Sequence, residues 1–311
     1  MHVARAFAPL VAAALLAVVG LPRCASAQAL AHALVASPRL VVLAGDSITE
    51  GVLEDATLAI PASAKPAERV CWQRLCFAEQ VRDGLERAAS EGRIAPTELV
   101  NRGIGGATSR DWDPRDYAVD DVHYLFNGTI YGPQPLFRNI PAADVVVHYV
   151  GTNDAVAFFE AGPPLEAEEY AEHLVRFAAT LRARGVEHVL IAVPPVPPAW
   201  SALAQGERMR DYGEAVRRAC RALVAPARLD RCLLDLARDF PSDGFAPGAI
   251  HPTAAGHAFI ARRYVEALVG VLREEGAPEG AARPRSSASG RERRARGGGS
   301  PGPGRRGAAA R

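Results

Sequence analysis

Five short strand-like runs, each closed by glycine, proline or a polar turn, set what this chain can fold into. They occupy residues 40–44, 98–101, 144–150, 188–193 and 232–236. Two of them, LVVLA and DVVVHYV, are near-continuous apolar runs rather than alternating ones, the pattern of strands buried on both faces. The first run stops at Gly45, the second ends near Gly103, the third stops at Gly151, and the fourth meets Pro194, Pro195, Pro197 and Pro198. Between the runs lie stretches with apolar residues at helical spacing: 70–89 (Phe77, Val81, Leu85, Ala88), 166–184 (Tyr170, Leu174, Phe177, Leu181) and 206–223 (Met209, Tyr212, Val216, Leu223). A last helix is expected over 253–273, with Ile260, Tyr264, Leu268 and Val271 facing inward. Strands alternating with helices imply an α/β domain with a five-stranded parallel sheet covered by helices on both faces. In such sheets ligands sit at the carboxyl ends of the strands, which is where the unusual residues of this chain fall.

The ends of the chain are set apart by composition. Residues 1–27 carry Arg5, an apolar stretch over 10–21, and Ala25-Ser26-Ala27, the three parts of a signal peptide, so the protein is expected to be exported. The apolar stretch is shorter than the roughly 20 residues that span a bilayer, so no stable membrane span is expected after its removal. Residues 283–311 are Arg, Gly, Ser, Pro and Ala, too poor in apolar bulk to offset chain entropy, and are expected to be disordered. That tail carries nine Arg against one Glu, and the leader adds Arg5 and Arg23; removing this +8 and +2 from a formal +1 leaves residues 28–282 at −9. An acidic body argues against nucleic acid as the partner of the folded domain. Cys71, Cys76, Cys220 and Cys232 then form an even set in an exported chain, and the locally closing pairs Cys71–Cys76 and Cys220–Cys232 are the expected disulfides. A regular helix through 71 and 76 would point the first two cysteines apart.

Four strings at strand ends carry the chemistry: GDS at 45–47, NRGIGG at 101–106, GTND at 151–154 and IHP at 250–252. Ester hydrolysis by a serine needs a hydroxyl, a base within hydrogen-bond reach and donors aimed at the developing oxyanion. Ser47 supplies the hydroxyl just past the first strand, and its own N–H is a donor if a helical turn follows. Gly106 offers an unobstructed N–H and Asn153 a side-chain amide, while His251, just before the last helix, supplies the base. These blocks, in this order, resemble the SGNH (GDSL) hydrolases over about residues 40–270. The resemblance implies a three-layer, flavodoxin-like α/β/α sandwich and an esterase, lipase or deacetylase type of reaction. It also implies Ser47 as nucleophile, Gly106 and Asn153 with Ser47 as oxyanion donors, and His251 as base.

One position departs from that pattern. The family places an Asp three residues before the His, and here Gly248 stands there. Asp243 could fold back to orient the imidazole if 244–248 is an insertion; a backbone carbonyl is the alternative. Asp46 is expected to tie down the Ser47 turn, Asp154 to fix the Asn153 loop, and His148 to be a core histidine. With no phosphate-loop pattern and no metal-ligand cluster, no cofactor is expected. Residues 107–143 interrupt the alternation and hold six of the chain's 20 aromatics, a density that argues against disorder and for either a substrate lid or a structural excursion. The substrate is expected to be a small-molecule, polysaccharide or lipid ester. The mixture of Trp and Tyr with Asp and Arg in 107–143 tilts the expectation toward an acylated carbohydrate; a lipase, a thioesterase and a lapsed glycan-binding module are the alternatives.

Overall fold

The computed structural model describes residues 38–55, 58, 71–115, 123–124, 130–131, 136–156 and 163–275. The chain divides into two units, Met1–Gly276 and Ala277–Arg311. The leader and the basic tail read from the sequence lie outside the described residues. In chain order the elements are β1 (Arg39–Gly45), a one-turn α1 (Ser47–Glu50), α2 (Phe77–Ser90), β2 (Thr97–Gly103), a two-residue pair β3 (His123–Tyr124) and β4 (Ile130–Tyr131), β5 (Val145–Tyr149), α3 (Ala167–Ala183), β6 (His188–Val193), α4 (Ala204–Leu223), β7 (Leu233–Asp235) and α5 (Ala254–Glu275).

The main sheet has five strands in the order β2-β1-β5-β6-β7, all parallel. Its topology is doubly wound, reversing direction at β1. All five residues of β5 are buried, as the unbroken apolar run requires of a central strand. One face of the sheet packs through Val42, Val146, Val189 and Ile191 against Tyr170, Leu174 and Phe177 of α3 and Met209, Tyr212 and Val216 of α4. The other face packs through Val41, Leu43, Val147 and Leu190 against Phe77, Val81 and Leu85 of α2 and Ile260, Tyr264 and Leu268 of α5. The result is the three-layer sandwich anticipated from the alternation.

Two details differ from the sequence reading. The helix expected from residue 70 starts at Phe77, because Cys71, Gln73 and Arg74 take left-handed φ values of 53°, 50° and 60°. Cys71 and Cys76 therefore sit on a turn rather than a regular helix, and they pair with a Cα–Cα distance of 4.6 Å; Cys220 and Cys232 pair at 5.5 Å. The second difference concerns the aromatic stretch. Trp112 and Phe137 are buried and pack edge-on against Phe177 of α3, so they are core residues and offer no stacking surface to a sugar. Tyr117 and Phe126 lie outside the described residues.

Candidate active site

The parallel register fixes which loops can meet. Gly45 at the end of β1 pairs with Gly103 of β2 on one side and Tyr149 of β5 on the other. Ser47 follows the first of these strand ends by two residues, Gly106 the second by three and Asn153 the third by four, so all three leave the same sheet edge at the point where the topology reverses. Asp46 caps the helical turn carrying the serine, its Oδ1 accepting from Ile48 N–H at 3.0 Å. The Ser47 N–H falls in the first turn, where no intrahelical acceptor exists.

Close packing holds this turn in place. A Cβ on Gly103 would run into the backbone of Thr49 and Glu50, and one on Gly45 into Thr49 and the Tyr149 carbonyl, so α1 lies directly on the two strand ends and only glycine admits it. Asn101 Nδ2 donates to the Thr49 carbonyl (2.7 Å) while its Oδ1 accepts from Gly103 N–H (2.9 Å). Glu50 Oε2 accepts from Gly105 N–H (2.9 Å), stitching the serine turn to the loop that carries Gly106. Gly106 has φ 82°, and the next residue's carbonyl accepts from Asn153 Nδ2 at 3.0 Å, which ties the two expected oxyanion donors into one loop pair.

Ser47 and His251, 204 residues apart, are brought together: Ser47 Oγ lies 2.9 Å from His251 Nε2, both side chains almost wholly buried. The other ring nitrogen does not meet Asp243. That residue is exposed, its carbonyl accepts from Thr253 Oγ1 (2.7 Å), and the Gly244 carbonyl accepts from Thr253 N–H (2.9 Å). The segment is thus closed by its own main chain, with the Asp243 side chain facing solvent. Glu54 takes the place expected for Asp243, its Oε1 2.9 Å from His251 Nδ1. Burial raises the Glu54 pKa, but the hydrogen bond and charge of His251, with its N–H and that of Ile250, outweigh this and hold the carboxyl below its ordinary value. Sequence reading missed Glu54, whose only signal is an acid a few residues beyond the candidate nucleophile.

Behind the site lies a buried polar frame. Asp154 accepts from Ser109 N–H (2.9 Å) and Ser109 Oγ (2.6 Å), and Ser109 Oγ lies 2.9 Å from His173 Nδ1 on α3. Asp154 therefore anchors the Asn153 loop to the loop after Gly106. Burial pushes Asp154 up to about 7 and Asp46 up to about 8, each raised further by neighbouring acidic charge; the Ser109 hydroxyl and N–H pull Asp154 down, and the N–H groups of the turn pull Asp46 down. His148 is stacked on Phe177 with ring centroids 4.0 Å apart and is lowered to about 3 by burial, a core histidine as expected.

Comparison with known proteins bears on the family and the fold. Residues 43–259 match the GDSL-like Lipase/Acylhydrolase family. Among solved structures, an alpha/beta hydrolase enzyme from the metagenome of Lake Arreo, Spain, is 23% identical with a TM-score of 0.51, over 76% of this chain and 97% of that one. A catalytic mutant of an acetylxylan esterase from Geobacillus stearothermophilus is 17% identical with a TM-score of 0.51, over 76% of this chain and 96% of that one. The acetyl xylan esterase AlAXEase is 18% identical with a TM-score of 0.50, over 74% and 99%. No curated protein matches the sequence.

Proposed function

Because the chain belongs to the GDSL-like lipase/acylhydrolase family and is an ester-hydrolysing enzyme, we propose that it works through an acyl-enzyme on Ser47 with His251 as the base. The observation that carries this is the 2.9 Å contact between Ser47 Oγ and His251 Nε2 at the topological reversal of the sheet. His251 Nε2 takes the hydroxyl proton as Oγ attacks the acyl carbon. The oxyanion that forms is assigned to the Ser47 and Gly106 N–H groups and the Asn153 amide, donors set in place before the reaction. The imidazolium then gives its proton to the leaving alcohol. Water repeats the sequence on the acyl-enzyme with the same base, releasing the acid and restoring Ser47.

The substrate we assign is a small acyl group on a carbohydrate. Among the described residues Leu203 is the one exposed large hydrophobic, which supports a polar approach surface over an apolar trough for a lipid chain. Three-layer neighbours that include acetylxylan esterases are in keeping with this assignment. Export belongs to the same proposal, supported by the signal-like leader and by two cysteine pairs at disulfide distance. Among the described residues no helix is long and apolar enough to cross a membrane.

The test is turnover of p-nitrophenyl esters of increasing acyl length beside acetylated xylan, with Ser47→Ala as control. Activity confined to acetyl and other short esters, with acetate released from xylan, is the expected result. An optimum at long acyl chains overturns the carbohydrate assignment, and turnover equal to that of Ser47→Ala overturns the enzyme mechanism.

A further inference from the structure

The histidine that faces Ser47 must present a lone pair at Nε2, so its proton has to sit on Nδ1 and something must hold it there. The two places where the sequence pattern would put an acid are empty of one or turned away. Position 248 is a glycine with φ 79°, and Asp243 is exposed beyond a loop closed by the Thr253 bonds and an antiparallel bridge between Phe245 and Pro252. The histidine is met from the opposite side, by the chain leaving α1.

That contact is reciprocal and built on several bonds. Glu54 N–H donates to the Pro252 carbonyl (3.2 Å), while Glu54 Oε2 accepts from Ile250 N–H (3.0 Å) and His251 N–H (3.3 Å), leaving Oε1 at 2.9 Å from Nδ1. The next residue works beside it: Asp55 Oδ2 accepts from Ala254 N–H at the start of α5 (3.1 Å), a terminus that needs acceptors from outside the helix. His257 supports the same segment. Phe77 N–H donates to its Nδ1 (3.2 Å), so its Nε2–H is the donor to the Val52 carbonyl (3.1 Å). His257 is buried and lowered to about 4, so it adds no charge beside His251 in the neutral range.

We infer that Glu54, seven residues after the nucleophile, is the positioning residue that completes the site: it accepts the Nδ1–H of His251, fixes the tautomer whose Nε2 faces Ser47, and balances the imidazolium formed as Ser47 is acylated. This rests on the reading of Ser47 as nucleophile and His251 as base. A carboxylate only accepts hydrogen bonds, so Oε1 at this distance admits one tautomer of the ring. The side chain is partly exposed, which lets the carboxylate stay ionised while the histidine it serves is almost wholly buried. The order along the chain, Ser then Glu then His, puts the acid in the first loop of the sheet and not beside the histidine. Function here follows from geometry and role, not from position in the chain.

The test is Glu54→Gln, which keeps shape and one acceptor but removes the anion, measured beside Asp243→Asn, Glu54→Asp and Ser47→Ala on p-nitrophenyl acetate across pH. Glu54→Gln is expected to lower kcat by about 10⁴-fold with KM little changed, the loss that removing an orienting carboxylate gives in serine hydrolases. The acid limb of its kcat/KM profile should move to lower pH, because an imidazolium without its anion is harder to form. Glu54→Asp should recover part of the rate, and Asp243→Asn should match wild type. Wild-type protein should also show a far-downfield proton resonance for the His251 Nδ1–H, kept in Ser47→Ala and lost in Glu54→Gln. A folded Glu54→Gln with wild-type kcat and an unshifted acid limb overturns the role of Glu54 while Ser47→Ala remains inactive. Activity in Ser47→Ala overturns instead the reading on which it rests. Should Glu54→Gln not fold, absence of the downfield resonance in wild type overturns the inference by itself.

Discussion

Asn153 is held by one N–H of its amide and assigned to the chemistry through the other. One N–H of its amide donates to the Ala107 carbonyl, and this holds the group at the edge shared with Ser47; the second is the donor we assign to the oxyanion. Asn153→Ala is expected to lower kcat by about 10²- to 10³-fold with little change in KM, the usual loss for one oxyanion donor. A rise in KM with kcat unchanged would place Asn153 in ground-state binding instead. At this scale the placement of the candidate side chains was readable wherever one follows a strand end or precedes a helix: Ser47, Asn153 and His251 stand at such punctuation. Glu54 was not readable. It lies on an irregular stretch with no period, and nothing local to ITEGVLED says that this carboxylate turns toward a loop nearly 200 residues away. Asp243 attracted the reading because proximity in sequence stood in for proximity in space. The loop after it closes on its own main-chain bonds and leaves the side chain in solvent.

The element on which the proposed mechanism depends is α1, a single turn that could not hold its shape alone. It is kept in place by the two strand ends beneath it, by Asn101 and by Glu50. Gly103→Ala puts a methyl group against the backbone of Thr49 and Glu50, atoms that cannot rotate away. Overpacking of this kind costs about 1–3 kcal/mol, and here the shift is delivered to Ser47. Melting temperature and kcat should therefore both fall, with kcat falling further than the stability loss explains. Wild-type kcat in a destabilised Gly103→Ala would show that α1 does not set the position of Ser47. Strands and the four long helices were legible from periodicity, since burial on two faces or on one stripe leaves a regular imprint. The start of α2 was not, because the left-handed residues at Cys71, Gln73 and Arg74 include no glycine to announce them. Nor was the burial of Trp112, which a sequence shows as an aromatic residue in a polar stretch and a structure shows as part of the core.

At the scale of the whole molecule, two sets of buried groups among the described residues, two carboxyls and three histidines, have opposite effects on stability. Asp46 and Asp154 stay protonated up to about 8 and 7 because of burial, against an ordinary value of 3.8; their stabilisation is complete at low pH and is lost as pH rises through those values. His148, His173 and His257 are lowered from 6.5 to about 3, 4 and 4, again by burial; their stabilisation is complete above 6.5 and is lost as pH falls. Between about pH 4.5 and 6 three uncharged histidines outweigh two protonated carboxyls, so stability rises with pH, and above 6.5 the carboxyls alone titrate, so it falls. Thermal melting should pass through a maximum near about pH 6 to 6.5, and Asp46→Asn should flatten its alkaline limb. A melting temperature that climbs from pH 6 to 8 would contradict this division. The central claim, that Ser47 carries the acyl group, is tested most directly by acid-quenching the enzyme during turnover of p-nitrophenyl acetate and mapping the modified peptide by mass. One added acetyl group on Ser47, absent from both Ser47→Ala and His251→Ala, is the predicted result; an acetyl group on another residue, or undiminished turnover in Ser47→Ala, would contradict it.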